Sequence, residues 1–189
     1  MKVESVANKI RASKIAGRPI VIGIEGFGGS GKSTTSLLLA GLLPDSQVIR
    51  ADDFIIKENL STQDWDKLVF DRDRLEAEVL RPASNGLPIT YRKLLWETNM
   101  LGDPITIGSP RFLIIEGIAC YHPSIAQYYD YKIWIEAPID VANGRGKKRD
   151  AGNENEKYWD LWSENDLAYR EKYHPDTEAD FIINNSVTS

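Results

Sequence analysis

The stretch Gly26–Ser33, which reads GFGGSGKS, decides the fold of this protein. It follows the apolar run IVIGIE and precedes TTSLLLAGLL, a run of small residues and leucines that is typical of a helix. Glycine inside a helix or strand costs stability, so four glycines within six positions indicate a tight turn or a close approach to a ligand. The segment also matches the pattern G-x-x-x-x-G-K-[ST] in full.

A loop of this kind binds phosphate through its backbone. Successive N–H groups point at one anion, and the following helix adds the positive end of its dipole. We predict that nucleotide phosphates lie against the following residues: Gly26, Phe27, Gly28, Gly29, Ser30, Gly31, Lys32, Ser33 and Thr34. Lys32 is expected to reach the β- and γ-phosphates, and the Ser33 hydroxyl is expected to bind Mg²⁺. The alternative, a glycine-rich turn that binds nothing, requires a chance match expected in about one per cent of chains of this length.

The composition excludes several classes of protein. The chain has 189 residues, is 42% hydrophobic and carries a net charge of −5. It therefore suits one globular domain and has no overall field that would attract nucleic acid or an anionic membrane. Its single cysteine, Cys120, cannot form an internal disulfide and suits a reducing compartment. The first residues lack the apolar core of a signal peptide, so we expect a cytoplasmic protein with no nucleic acid and no membrane as partners. A homo-oligomer is compatible with the sequence.

Five short runs rich in Ile and Val predict the strands of one sheet, over residues 19–25, 47–53, 111–117, 131–137 and 180–185. Because the runs are almost continuously apolar, they fit parallel strands that are covered on both faces. The segments between them predict helices: a first amphipathic helix with Val6, Ile10 and Ile15, then helices over 33–43, 65–80, 140–150 and 157–173. We predict a single domain, residues 1–189, with a three-layer α/β P-loop fold: a mainly parallel five-stranded sheet and helices on both faces.

Acidic residues end two of the predicted strands. Glu116 ends the run FLIIE, and Asp52 and Asp53 end the run QVIRADD. In a parallel sheet ligands lie at the carboxyl ends of the strands, so these carboxylates and the loop after Glu25 are expected to converge. Glu116 is suited to accept hydrogen bonds from water molecules bound to Mg²⁺, and one of the two aspartates is suited to take the proton of an acceptor hydroxyl. The alternatives are a solvated strand end for Glu116 and a turn cap for one aspartate, for which we favour Asp53.

The motifs GFGGSGKST, ADDF, FD, IIEGI and EADFIINN occur in this order along the chain. In this order they resemble the uridine kinase and phosphoribulokinase family of P-loop kinases, and compact bacterial uridine kinase-like proteins in particular. The resemblance extends from Ile20 to Asn185. It implies the use of ATP and Mg²⁺ and a small-molecule hydroxyl acceptor, with a nucleoside such as uridine as the first candidate.

The resemblance also implies roles for individual residues. In the family the aspartate of D-x-F is the catalytic base, and the match here is Asp52, with Asp53 at the variable position and near the substrate. Ser33, Glu116 and Asp52 form the implied Mg²⁺ site. The family's FD pair holds ribose hydroxyls in nucleoside kinases, and its aspartate matches Asp71.

A basic cluster, NGRGKKRD, occupies residues 143–150. In the family a helix here ends in Arg-Asp and begins a mobile lid that brings arginines to the transferring phosphoryl group. Arg149 matches that catalytic arginine, and Arg145 shares its helix face and is a candidate substrate contact. We expect the lid to span 143–158, although the continuation AGNENEKYWD lacks the Arg-Gly-Arg of nucleoside kinases; the alternative is a basic helix end that complements its own dipole. The aromatic residues that follow, Trp159 and Trp162, are expected to pack rather than to contact a ligand.

The segment 86–109 is predicted to form an acceptor-side hairpin from LPITY and DPITIG. Pyrimidine nucleoside kinases of the family carry a Tyr-Asp-aromatic triplet here, which falls on Leu94, Leu95 and Trp96. Trp96 can stack on a base or simply cover the hairpin, whereas the two leucines offer no hydrogen bonds. Tyr91 and Arg92 are further candidate substrate contacts, on opposite faces by alternation. We therefore predict a kinase with weak uridine selectivity. A pantothenate-like or sugar-like acceptor, and a nucleotide-binding regulator without transfer activity, are the alternatives.

Overall fold

A computed structural model describes residues 1–61 and 70–186 of the chain. Its strands are β1 (Ile20–Gly26), β2 (Ser46–Arg50), β3 (Ile89–Tyr91), β4 (Leu94–Leu95), β5 (Met100–Leu101), β6 (Ile105–Ile107), β7 (Phe112–Glu116), β8 (Tyr131–Glu136) and β9 (Phe181–Asn184). Its α-helices are α1 (Val3–Arg11), α2 (Lys32–Leu42), α3 (Arg72–Leu75), α4 (Arg81–Ser84), α5 (Ile139–Asp150) and α6 (Trp159–Tyr173). A π-helical turn, Glu76–Leu80, joins α3 to α4.

The central sheet has the strand order β2-β7-β1-β8-β9, and every neighbouring pair is parallel. β1 and β7 are buried along their whole length, which explains why their sequences are continuously apolar. The edge strand β9 instead alternates buried and exposed residues. The register places Glu116 beside both Ile24 and Arg50, so the carboxyl end of β7 lies next to those of β1 and β2. The predicted five-stranded parallel sheet is confirmed.

Helices cover both faces of the sheet, which gives the predicted three-layer α/β arrangement. On one face, α1 and α2 contribute Val6, Ile10 and Leu39 to a buried cluster with alternate residues of β1 and β7. On the other face, Leu75 and Val79 pack against the opposite side chains of the same strands. This division follows from strand geometry, because successive side chains point to opposite faces.

Three of the predicted helices differ from the structure by two or more residues at a boundary. α1 ends at Arg11, so Ile15 lies outside the helix and is partly exposed. The helix predicted over 65–80 is not continuous, because Phe70 forms a β-bridge with Ile55 and helical structure begins only after Asp71; residues 65–69 of that prediction lie outside the described residues. α6 begins two residues later than predicted, after a 3₁₀ turn.

The predicted hairpin is present as two antiparallel ribbons. β3 pairs with β6, and β4 pairs with β5 nearer the tip. The segment predicted as a lid, 143–158, comprises the last two turns of α5, a loop and a 3₁₀ turn. Among the described residues, no helix combines the length and the apolar character that a membrane span requires.

Candidate active site

The loop between β1 and α2 has the backbone shape that its glycines predict. Gly26, Gly29 and Gly31 all have positive φ angles, of 151°, 78° and 100° respectively. At Gly29 a Cβ atom would lie 2.1 Å from the carbonyl oxygen of Ala142 on α5, so a larger residue does not fit there. Gly31 immediately precedes α2, and the loop therefore delivers its backbone N–H groups to the N-terminus of that helix. This is the geometry of a phosphate-binding cradle.

Two other segments hold this loop in place. Asn185, just after β9, donates a hydrogen bond from its side-chain amide to Ser30 O at 2.7 Å. Its own carbonyl oxygen accepts a hydrogen bond of 3.1 Å from Arg145 Nη1 on α5. The end of the C-terminal strand and the part of α5 that belongs to the predicted lid are thus connected at the loop, a role of Asn185 that no sequence pattern indicates.

Lys32 bends back over the loop from the first residue of α2. Its Nζ donates hydrogen bonds of 2.9 Å to Gly26 O and to Phe27 O, and its side chain is buried. The ammonium group therefore lies against the cradle, where a phosphate chain would meet it. This arrangement fits the binding of a nucleoside triphosphate.

The carboxylates predicted to bind Mg²⁺ lie around this lysine. Glu116 is buried, and the Ser33 hydroxyl lies close to its carboxylate. Burial raises its pKa, an effect that Lys32 partly offsets and that the neighbouring Asp52 increases. Arg50 Nε lies 3.7 Å from Glu116 Oε1. Ser33, Glu116 and Asp52 thus line one cavity together with Lys32.

Asp52 lies in a 3₁₀ turn, Ala51–Phe54, that directly follows β2. Its side chain is exposed to the cavity that it lines, and the protein around that cavity removes part of its hydration, which raises its pKa. Lys32 and then Arg149 oppose the shift, while Asp53 adds to it. A carboxylate with a raised pKa is a better proton acceptor for a hydroxyl group than an ordinary aspartate.

These groups fit Mg²⁺ as well as a nucleotide. The described residues contain no cluster of three or more His, Cys, Asp and Glu side chains arranged to hold a metal ion. Mg²⁺ needs no such cluster, because it is commonly held by one or two protein groups together with phosphate oxygens and water. The Ser33 hydroxyl and the Glu116 carboxylate supply oxygen atoms of that kind beside the cradle.

A cavity of about 760 Å³ joins the loop to the rest of the site. We call its polar wall the phosphate side; it is lined by Gly28, Gly29, Gly31, Lys32, Ser33, Thr34, Asp52, Glu116, Arg145, Arg149 and Asn185. We call its apolar wall the acceptor side; it is lined by Ile55, Leu60, Phe70, Trp96, Ile118 and Trp162. Because Asp52 and Ile55 lie only three residues apart and both line the cavity, the two sides meet in this segment.

Four predicted substrate contacts do not line this cavity. Asp53 forms an ion pair of 3.3 Å with Lys93 on the hairpin, and Asp71 caps α3 by accepting a hydrogen bond from Arg74 N. Tyr91 is buried and stacks on Phe54 at 5.9 Å between ring centroids, and Arg92, directly after the strand, is exposed. The side chains of Asp53, Asp71 and Tyr91 therefore have structural partners, which propensity and spacing do not reveal.

The predicted catalytic arginine is held by its neighbour. Arg149 Nε and Nη2 donate to the Asp150 carboxylate at 2.8 and 2.9 Å, and its guanidinium lies 5.4 Å from the centre of the Trp159 ring. Trp159 Nε1 also donates to Asp150. The Trp159 ring fills the space above Gly146, where a Cβ would lie 2.1 Å from it. Trp159 does pack, as predicted, but it packs within the site and lines the cavity.

The comparisons with known proteins agree with this geometry. The chain is 30% identical over 146 residues to a uridine kinase from Alkaliphilus metalliredigens, which covers 70% of this chain and 69% of that protein. It is 31% identical over 146 residues to a pantothenate kinase from Streptococcus thermophilus, which covers 66% of this chain and 47% of that protein. A possible uridine kinase from Bacillus stearothermophilus superposes with a TM-score of 0.75 at 20% identity, covering 96% of both chains. No protein-family model matches the chain.

The fold and the loop place the chain among the P-loop kinases. Within that class it belongs to the uridine kinase-like family. The chain spans about half the length of the pantothenate kinases that it matches, 47% in the Streptococcus protein.

Proposed function

We propose that this protein is an ATP-dependent kinase that transfers the γ-phosphoryl group to a hydroxyl of a small molecule. The observation that carries the proposal is the position of Asp52, which faces the same cavity as Lys32, Ser33 and Glu116. A nucleotide-binding regulator needs the cradle but has no use for a proton acceptor beside it. The geometry therefore favours transfer over simple binding.

The proposed reaction uses each of these groups. The acceptor oxygen forms a bond to the γ-phosphorus, the bond from that phosphorus to the bridging oxygen of ADP breaks, and the hydroxyl proton passes to the Asp52 carboxylate. Lys32 and Arg149 offset negative charge on the transferring group. Ser33 and Glu116 would hold Mg²⁺, which neutralises charge between the β- and γ-phosphates when it is bound.

The acceptor side supports a substrate with a flat or apolar body. Trp96 is half-buried and its backbone oxygen is held by Lys57 Nζ at 2.9 Å, so the ring is presented by an anchored segment. Trp162 is anchored similarly, by a hydrogen bond of 2.9 Å from its indole N–H to Leu60 O. A nucleoside can stack its base on such rings. We therefore propose a nucleoside as the first candidate acceptor, with weak selectivity for uridine.

A pantothenate-like alcohol is the second candidate, and a specific observation favours it. Two of the triplet positions are leucines, one buried (Leu94) and one exposed (Leu95), and a leucine side chain has no group that could form a hydrogen bond with a pyrimidine edge. An acceptor with an aliphatic body needs none. A sugar-like acceptor is less well supported, because it requires several hydrogen bonds from a wall that is almost entirely apolar.

A panel assay tests the proposal. ADP formation from Mg·ATP is measured with nucleosides, pantothenate, polyols and sugars as acceptors, and the phosphorylated product is identified by mass spectrometry. We expect acceptor-dependent ADP formation with at least one alcohol and a matching gain of one phosphoryl group. Tight binding of Mg·ATP without any transfer across the panel, in the wild type and in Asp52→Asn alike, would favour the regulator instead.

A further inference from the structure

Asp166 lies in the middle of α6 and contacts the phosphate loop from outside the cavity. Its Oδ2 accepts a hydrogen bond from Gly28 N–H at 2.7 Å, and the residue is 3% exposed. Trp159 precedes it by seven residues and therefore shares its face of the helix. The Trp159 ring lies 3.0 Å from the position of a Cβ on Gly28. One face of α6 thus holds a single residue of the loop at two points.

A carboxylate at this place is unusual, because it lies beside a loop that binds anions. Two charged or titratable groups lie near Asp166, namely Lys32 on α2 and Glu25 on β1. Glu25 in turn accepts hydrogen bonds from the Tyr121 N–H group and from the Tyr169 hydroxyl of α6. Burial raises the pKa of Asp166 to about 6, against the opposing effects of the Gly28 hydrogen bond and Lys32. Burying a charge is costly unless it makes a strong hydrogen bond, and the bond to Gly28 is one of this kind.

We propose that Asp166 is a positioning residue, which fixes the phosphate loop in its binding shape by holding the Gly28 N–H group. Gly28 precedes Gly29, whose positive φ angle turns the chain toward the cavity. A loop freed at Gly28 loses the fixed direction of the N–H groups that follow. The inference rests on the proposed use of this loop for Mg·ATP, and small displacements of such groups are costly in a binding site.

Two variants with the same charge and nearly the same shape isolate the hydrogen bond. Asp166→Asn keeps an oxygen that accepts from Gly28, whereas Asp166→Leu removes it and leaves the part-buried N–H group without this partner. We expect Asp166→Leu to bind Mg·ATP about tenfold more weakly than Asp166→Asn, the scale for the loss of one hydrogen bond. Calorimetry measures both dissociation constants without any acceptor. Glu164→Gln, on the exposed side of α6, removes one charge without contacting the loop and should leave binding unchanged.

A spectroscopic measurement on the wild type tests the same contact independently of the leucine variant. The amide proton shift of Gly28, followed by NMR, should titrate with a midpoint near pH 6, because protonation of Asp166 weakens the hydrogen bond. The titration should disappear in Asp166→Asn. A Gly28 shift that does not change between pH 5 and 8 would overturn the inference, even if Asp166→Leu does not fold.

The outcomes separate this inference from the proposed function. If the wild type does not bind Mg·ATP, the proposed function fails. If the wild type binds and the folded asparagine and leucine variants bind equally well, Asp166 has only a structural role and the inference fails. A tenfold difference between the two variants, at equal thermal stability, supports it.

Discussion

The phosphate side and the acceptor side of the cavity are built in different ways. The phosphate side depends on backbone N–H groups, whose directions are fixed by glycines and by contacts from Ala142, Asp166 and Asn185. The acceptor side depends on apolar side chains from several separate segments, among them Trp96 and Trp162. Few sequences can form a binding site from backbone N–H groups in fixed directions, whereas many combinations of apolar side chains can form an apolar wall.

The two sides also differ in what they cost the fold. Behind the phosphate side, Glu25 is fully buried and its Oε2 has no hydrogen-bond partner among the described residues. On the acceptor side, the buried apolar groups stabilise the protein by leaving water. The phosphate side is therefore maintained at the expense of stability, whereas the acceptor side contributes to stability.

Asp52→Asn, at the meeting point of the two sides, should have the largest effect. We expect the transfer rate to fall by about two to four orders of magnitude, the usual scale for a general base. Because ionised Asp52 is the active form and its pKa is raised, the wild-type rate should increase with pH through a midpoint above that of an ordinary aspartate. Steady-state kinetics with the best acceptor measure both effects.

Asp53→Asn is the matched control for this prediction. Its carboxylate is paired with Lys93 and does not line the cavity, so transfer should change by less than about tenfold, the range of a part-buried ion pair away from the reacting groups. A large loss confined to Asp53→Asn would show that the other aspartate of the pair is the base.

Lys32→Ala should have the next largest effect, and it tests the phosphate side alone. Loss of a preorganised charge at a developing anion typically costs about 10²–10³-fold in rate. The fold should persist, because the lysine bonds to carbonyl groups of the loop rather than packing in the apolar core. Wild-type turnover by a folded Lys32→Ala protein would contradict the assignment of the cradle.

The sequence predicted the phosphate side much better than the acceptor side, for a physical reason. The loop is one continuous segment, so a single sequence pattern predicts it together with the adjoining strand and helix. The acids at the strand ends are predicted to converge because the carboxyl ends of parallel strands lie at the same edge of the sheet. The contacts of Asp166 and Asn185 with the loop join residues far apart in the chain, and no local pattern carries them. The position of Asp71 outside the cavity was not predicted for a similar reason. Its side chain caps α3, and the sequence pattern did not indicate that this helix begins directly after Asp71.

Glu25→Gln tests whether the phosphate side reduces stability. Burial raises the pKa of Glu25 to about 8, well above its value in an unfolded chain. The folded protein therefore binds more protons than the unfolded one between these values, and stability is lost as the pH rises toward 8. Glutamine does not titrate and can still accept from Tyr121 N–H and Tyr169.

From pH 5 to pH 8 the variant should gain about 2–4 kcal/mol in unfolding free energy relative to the wild type, at 1.36 kcal/mol per pKa unit. Urea unfolding at the two pH values measures this gain. An equal difference at both pH values would mean that Glu25 is not buried as a titrating group.

Trp96→Ala should have the smallest effect, and it bears on the acceptor side alone. If the indole stacks on a base, its removal should cost about 1–3 kcal/mol of acceptor binding, so the KM for a nucleoside rises while the KM for ATP does not change. The anchoring bond from Lys57 to the backbone oxygen of residue 96 is kept in the alanine variant. Leu95→Ala, at the exposed neighbouring position, is the control and should change neither constant.

The same kinetics should give similar kcat/KM values for uridine and cytidine, because the wall offers few hydrogen bonds with which to distinguish them. An equal rise in KM for nucleosides and for aliphatic alcohols would contradict stacking and make Trp96 a general apolar wall, and a strong preference for uridine would mean that other residues recognise the base.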